Sequence, residues 1–97
     1  MIRITKTNNK VEITGHANYA PYGYDIVCSA VSTLTQTFIA SVRHFTNDKL
    51  KYVTTGGEAF ISYKNLSKDA QLLLNSFFYG LEMVANTYPE YIEINKE

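Results

Sequence analysis

The sequence contains only one cysteine and two histidines among its 97 residues. A single cysteine cannot form a disulfide within the chain, and one cysteine with two histidines does not give the ligand spacing of the common metal sites. We therefore expect no disulfide, no bound metal and no other cofactor. The lack of disulfides favours a cytoplasmic location.

The chain also lacks an excess of charge of either sign. Nine Lys and Arg residues balance nine Asp and Glu residues, so the formal net charge is zero. Domains that bind nucleic acid or anionic membranes usually carry a basic surface. The composition therefore disfavours both kinds of partner.

Long apolar runs are absent as well. No run approaches the roughly 18 to 20 apolar residues that span a bilayer, and the N-terminus begins with alternating charged and apolar residues. We expect neither a signal peptide nor a membrane anchor. The composition is 45% hydrophobic and 19% charged, which supplies a core and differs from that of a disordered chain. At this length we expect one domain, residues 1–97.

The first half of the chain changes from a strand pattern to a helix pattern. Residues 2–5 and 11–14 alternate apolar and polar side chains on either side of a polar turn, which predicts a hairpin. Apolar residues then recur every three or four positions, which predicts a helix from about Asp25 to about Phe45. Asp25 is a favoured type of N-cap residue.

The second half repeats this order with different residues. Residues 50–54 and 58–63 predict a second hairpin, because the glycines between them tolerate a turn. Ser67 is a plausible N-cap for a second helix that ends before Tyr88, and residues 91–94 predict a last strand. The order β-β-α-β-β-α-β predicts an α+β two-layer sandwich, with one mostly antiparallel sheet and two helices on one face.

The segment between the first hairpin and the first helix is the most informative. Its loop, Gly15 to Tyr24, is longer than a strand-to-helix connection needs, which is typical of functional loops. Cys28 follows in the predicted first helical turn, where the helix dipole and free backbone N–H groups favour a thiolate and lower the pKa of a thiol. His16 lies at the other end of the loop, from which it can approach the same helix start and act as a base.

These positions alone leave two interpretations open. A lone cysteine on a helix is more often a small buried apolar residue than a nucleophile. A lone histidine is also usually structural, and His44, in the last turn of the first helix, is read that way because a cation there suits the dipole. The placement of His16 and Cys28 on either side of one loop makes the catalytic and structural interpretations about equal.

The residues at Gly15 to Ser32 carry a motif. They read G-H-A, then five residues, then G-x-D-x-V-C-x-A-V-S, which strongly resembles the signature of the ribosomal-processing cysteine protease family, Prp. The resemblance implies that family's small two-layer fold and a cytoplasmic, homodimeric endopeptidase. Such an enzyme removes an N-terminal extension from a large-subunit ribosomal protein, cutting after a hydrophobic or aromatic pair. Some relatives are encoded by phages and are expected to process phage structural proteins.

The resemblance also implies roles for individual residues. Cys28 becomes the nucleophile and His16 the general base of a Cys-His dyad. Gly15 lets the backbone turn beside the histidine, and Gly23 is one hinge of the loop.

For other residues of the motif and the loop, two interpretations of their role remain open. Asp25 either caps the helix or supports the histidine, and Ser32 either bonds near the site or bonds back to the helix backbone. The loop tyrosines Tyr19, Tyr22 and Tyr24 either line an apolar cleft for the substrate or pack the loop down. The chief alternative to a protease is a non-catalytic dimeric binding or assembly module with the same fold, and another is a redox-sensing thiol.

Overall fold

Seven segments of regular structure follow one another in the order that the hydrophobic pattern predicts. The computed structural model describes residues 1–21 and 23–97. The elements are β1 (Ile2–Lys6), β2 (Lys10–Thr14), α1 (Ile26–Phe45), β3 (Lys51–Thr55), β4 (Glu58–Ser62), α2 (Lys68–Thr87) and β5 (Ile92–Lys96).

The five strands form one sheet in the order β3-β4-β2-β1-β5. Only the pairing of β1 with β5 is parallel, and the other three pairings are antiparallel. The register places Ile4 opposite both Ile13 and Ile94, and Ile13 opposite Ala59. Residues directly opposite one another on neighbouring strands point to the same side of the sheet, so these residues lie on one apolar face.

Both helices cover that face. Phe38 of α1 stacks on Phe77 of α2, with ring centroids 4.8 Å apart, and both rings are buried. The largest fully buried side chains come from both layers: Ile4, Ile13, Ile61, Leu81, Val11, Val27, Val31 and Val42. The predicted α+β two-layer sandwich is confirmed.

The predicted N-cap residues begin both helices. The side chain of Asp25 accepts hydrogen bonds from the backbone N–H groups of Val27 and Cys28, and Ser67 accepts one from Ala70. Each bond satisfies a backbone donor that has no partner within the helix. The cap at Asp25 fixes where α1 starts and therefore places Cys28 in its first turn.

By length and composition, α1 is apolar enough to cross a membrane, although its individual apolar runs are too short to predict this. Ser and Thr residues interrupt every apolar run, but the helix as a whole stays hydrophobic. One such helix is weak evidence for a membrane span, because the core helix of a globular fold has the same properties. The buried residues of α1 follow helical spacing: Val27, Val31, Thr35, Phe38, Ile39 and Val42. All of them except Thr35 belong to the hydrophobic core.

Candidate active site

The loop after β2 folds back onto the start of α1. The backbone N–H of Ala17 donates a hydrogen bond to Sγ of Cys28 over 3.4 Å, although the two residues are 11 positions apart. Ala17 is buried in the core, so its backbone is fixed. Because the loop folds back, the residue that follows His16 contacts the cysteine directly.

A cavity of about 710 Å³ opens at this point, and both His16 and Cys28 line it. The His16 side chain is exposed, whereas Cys28 is half-buried. The lining comes from β1, the loop, the first turns of α1 and the turn between β3 and β4: Ile2, Gly15, His16, Asn18, Ala20, Gly23, Asp25, Cys28, Ser29, Val31, Ser32, Gly56 and Gly57. The volume suits a peptide side chain or two beside the thiol.

Two hydrogen bonds hold the backbone around His16. The carbonyl oxygen of His16 accepts a hydrogen bond from the amino group of Met1 over 2.6 Å. Gly15 has φ +83°, and its N–H donates to Oε2 of Glu58 over 2.8 Å. A Cβ atom at Gly15 would overlap the carbonyl oxygen of Met1. Only glycine fits this turn, as the motif implies.

Asp25 joins the helix start to the loop. Its Oδ1 accepts the N–H groups of Val27 and Cys28, each over 3.0 Å, and its Oδ2 accepts the N–H of Tyr19 over 3.1 Å. Partial burial raises the pKa of Asp25, but the hydrogen bonds from Cys28, Tyr19 and Val27 outweigh it and hold the pKa below its ordinary value of 3.8. The capping role is confirmed, and the bond to Tyr19 adds a second role in the loop.

The expected lowering of the Cys28 pKa is wrong for this structure. Burial raises the pKa of the thiol above its ordinary value of 9.0. The N–H of Ala17 and the positive charge of the amino terminus oppose this effect, but the neighbouring Asp25 carboxylate adds to it. The sequence placed Cys28 at the positive end of a helix correctly, and the acidic cap that begins the helix disfavours a thiolate.

The described loop tyrosines do not line the cavity. Tyr19 packs edge-on against Tyr88 and Tyr91, with centroid distances of 5.5 and 5.2 Å, so it holds the loop against the C-terminal end of α2. Tyr24 is 77% exposed. Tyr22 lies outside the described residues. For Tyr19, the packing interpretation describes the geometry better than the cleft interpretation.

Sequence reasoning missed one wall of the cavity. Gly56 and Gly57 form the turn between β3 and β4, and they reach the site because β4 pairs with β2 and starts beside the end of β2. Ser32, a motif residue, lines the cavity one turn after Cys28. Asn18 lines it with φ +57°. The two glycines signalled a turn in the sequence, but nothing local indicated which loop it would meet.

Within the part of the chain that the structure describes, no group of three or more His, Cys, Asp or Glu residues is placed to hold a metal ion. The chemistry that the cavity offers is that of a thiol at a helix N-terminus and of an imidazole from the preceding loop. These are the groups of a nucleophile and a general base in acyl transfer.

Comparison with known proteins agrees with this chemistry. Residues 1–93 match the family described as cysteine protease Prp. The ribosomal processing cysteine protease Prp of Mycoplasma genitalium is 30% identical over 99 residues, covering 100% of this chain and 97% of the relative. The protein of the same name from Staphylococcus aureus strain Mu50 is 30% identical over 88 residues, covering 88% of this chain and 83% of the relative.

Solved structures agree as well. The essential ribosomal processing protease Prp from S. aureus, in complex with a covalently linked product peptide, superposes with a TM-score of 0.95 at 25% identity, covering 100% of both chains. The structure of SMU.848 from Streptococcus mutans superposes with a TM-score of 0.74 at 27% identity, covering 98% of this chain and 90% of that one. The match runs through both helices and the whole sheet, and the chain belongs to the Prp family of cysteine proteases.

Proposed function

We propose that this protease cleaves peptides through Cys28 as nucleophile and His16 as general base. The observation that carries the proposal is that both residues line one cavity, with the backbone next to His16 bonded to Cys28 Sγ. The cysteine lies at the start of α1, where backbone N–H groups and the helix dipole favour a developing negative charge.

The raised thiol pKa defines the first step. Because Cys28 is protonated at neutral pH, His16 accepts the thiol proton as the sulfur attacks the peptide carbonyl carbon. His16 then donates that proton to the leaving amine, and a thioester to Cys28 remains. Water, deprotonated by His16, then attacks the thioester carbonyl carbon and the C–S bond breaks. His16 returns the proton to the Cys28 sulfur, and the new C-terminal carboxyl group is released. The exposed imidazole lies on the loop, so closure of the loop over substrate brings the base to the thiol.

We propose that the substrate is the N-terminal extension of a large-subunit ribosomal protein, cut after a hydrophobic or aromatic pair, in the cytoplasm. The names of the relatives from M. genitalium and S. aureus support ribosomal processing. The S. aureus structures, one with a covalently linked product peptide and one with a substrate peptide, support a peptide substrate.

The dyad is tested with three substitutions and one control. Cys28→Ala and Cys28→Ser should abolish cleavage, and His16→Ala should lower kcat by about 10² to 10⁴, the usual contribution of a general base. His44→Ala is the control, because His44 is exposed in the last turn of α1, far along the helix from Cys28. Wild-type turnover in a pure Cys28→Ala preparation would contradict the mechanism.

The substrate is tested with peptides that vary at the two positions before the cut. Sequences with Phe-Phe should be cleaved about 30- to 150-fold better than Lys-Asp, which corresponds to about 2 to 3 kcal/mol of apolar contact. Equal cleavage would contradict an apolar preference. A phage structural protein cut in preference to the ribosomal extension would support the phage alternative, and tight peptide binding without turnover would support a binding module.

We further propose that the enzyme is a homodimer. Three large apolar side chains of α2, Leu72, Tyr79 and Met83, are exposed and share one face by their spacing of seven and four. Exposed apolar side chains on one helix face are typical of an interface. Analytical ultracentrifugation should give a dimer for the wild type and a monomer for Leu72→Glu with Met83→Glu. A monomeric wild type at micromolar concentration would contradict this proposal.

A further inference from the structure

Glu58 is a carboxylate that contacts the turn that carries His16. It is the first residue of β4 and follows the Gly56-Gly57 turn that forms one wall of the cavity. It is half-buried, and its Oε2 accepts the backbone N–H of Gly15 over 2.8 Å. The mechanism proposed above does not use it.

The strand register explains why this bond exists. The pairing of β2 with β4 ends at Ile13 opposite Ala59, so the backbone of Gly15 lies past the last strand pair. Its positive φ turns the chain away from the sheet toward the loop. A backbone N–H without a partner is costly when it is shielded from water, and the Glu58 carboxylate supplies that partner with a charge-assisted hydrogen bond.

We propose that Glu58 is a positioning residue that fixes His16 for proton transfer by holding the N–H of Gly15. Gly15 directly precedes His16, and its other neighbour in space, Met1, bonds the carbonyl of His16. Glu58 therefore ties the wall formed by the β3–β4 turn to the wall that presents the imidazole. This inference rests on the proposed role of His16 and adds a residue that the Gly15 to Ser32 motif does not contain.

The expected effect falls on turnover. A misplacement of about 1 Å in a reacting group can cost about 100-fold in rate, so loss of the acceptor at Glu58 should lower kcat by about 10- to 100-fold. KM should change little, because His16 acts in the chemical step and not in ground-state binding of the peptide. A residue with only a structural role would not separate kcat from KM in this way.

The variants are Glu58→Gln, Glu58→Met and Glu12→Ala. Gln keeps an oxygen acceptor of similar reach, and Met keeps the length of the side chain without the acceptor. Glu12 is the matched control, because it is a glutamate of the adjacent strand β2 that pairs with Lys10 on the sheet surface, away from the cavity. The amide resonance and hydrogen-exchange rate of Gly15, measured by NMR, report the hydrogen bond independently of activity.

We expect Glu58→Met to lose hydrogen-exchange protection at the Gly15 amide and to have a lower kcat. Glu58→Gln should keep the protection and the wild-type kcat, and Glu12→Ala should match the wild type in both measurements. Glu58→Met should have no further effect in a His16→Ala background. Three outcomes would each overturn the inference and leave the dyad standing. These are a wild-type kcat in Glu58→Met, a Glu58→Gln variant as slow as Glu58→Met, and losses of kcat that are additive with His16→Ala. A fully active His16→Ala enzyme would instead overturn the dyad, and with it this role of Glu58.

Discussion

Asp25 offers a test of how the loop and the helix depend on each other. Its carboxylate accepts three backbone hydrogen bonds, two from the first turn of α1 and one from Tyr19 in the loop. Asp25→Ala removes all three acceptors. Asp25→Asn keeps the carbonyl oxygen that caps the helix but presents an amide NH₂ group to the N–H of Tyr19, so it removes only the loop contact.

The structure sets the size of both effects. Loss of an N-cap side chain costs about 0.5 to 2 kcal/mol. Loss of a hydrogen bond to a charged acceptor costs about 1.5 kcal/mol here, the lower limit of the usual range, because Asp25 is half-exposed. We therefore expect Asp25→Ala to lower the free energy of unfolding by about 2 to 3.5 kcal/mol. For a domain near 100 residues, this corresponds to a fall in Tm of about 10 to 20 °C. Asp25→Asn should lose about half as much.

Differential scanning calorimetry of the two variants and the wild type at several pH values measures these differences. The folded-state pKa of Asp25 lies below its ordinary value of 3.8. The carboxylate therefore stabilises the fold above about pH 3.8, and this contribution disappears as the pH falls through the lowered pKa. The gap in Tm between the wild type and Asp25→Asn should be full at pH 7 and should narrow below pH 3.8.

Two results would refute this reasoning. An Asp25→Ala protein as stable as the wild type at pH 7 would mean that the three hydrogen bonds contribute nothing net. A gap between the wild type and Asp25→Asn that stays constant from pH 7 to pH 2 would mean that the ionised carboxylate is not the group that matters. We also expect Asp25→Asn to keep most of its turnover, because Asn caps a helix about as well as Asp. An Asp25→Asn enzyme whose turnover falls sharply, with no more than the expected loss of Tm, would instead assign the charge to catalysis.

Three further predictions follow from the same geometry. Because burial and Asp25 raise the Cys28 pKa above 9.0, iodoacetamide should alkylate the free enzyme slowly at pH 7 and increasingly fast above pH 9. An alkylation rate that is already maximal at pH 7 would contradict the raised pKa. Gly15→Ala and Gly23→Ala should each cost about 1 to 3 kcal/mol of backbone strain, because both glycines have a positive φ. Only the Cβ at position 15 also overlaps the carbonyl oxygen of Met1, so the Tm of Gly15→Ala should fall below that of Gly23→Ala. Tyr63→Phe should leave the free energy of unfolding in chemical denaturation unchanged or raise it, because the buried Tyr63 hydroxyl has no hydrogen-bond partner among the described residues. A decrease in the free energy of unfolding of more than about 1 kcal/mol would indicate that the hydroxyl does form a hydrogen bond.

The order of elements was predictable from the sequence because each element follows from local pattern. The alternation in residues 11–14 and the spacing from Val27 onward require no knowledge of distant residues. The caps at Asp25 and Ser67 were predictable for the same reason, since a cap bonds to backbone two or three positions away. The predicted cap at Asp25 also placed Cys28 in the first helical turn, which the structure confirms.

The electrostatics and the walls of the cavity depended on tertiary structure. Only the tertiary structure buries the Cys28 thiol, and this burial raises the thiol pKa although the Ala17 N–H that the loop brings to the sulfur opposes the rise. The pKa direction was therefore wrong from sequence. Only the pairing of β4 with β2 brings Glu58 to Gly15 across 43 positions. Helix and strand periodicity determine which residues face the core, whereas desolvation and long-range hydrogen bonds depend on which elements become neighbours in the sheet.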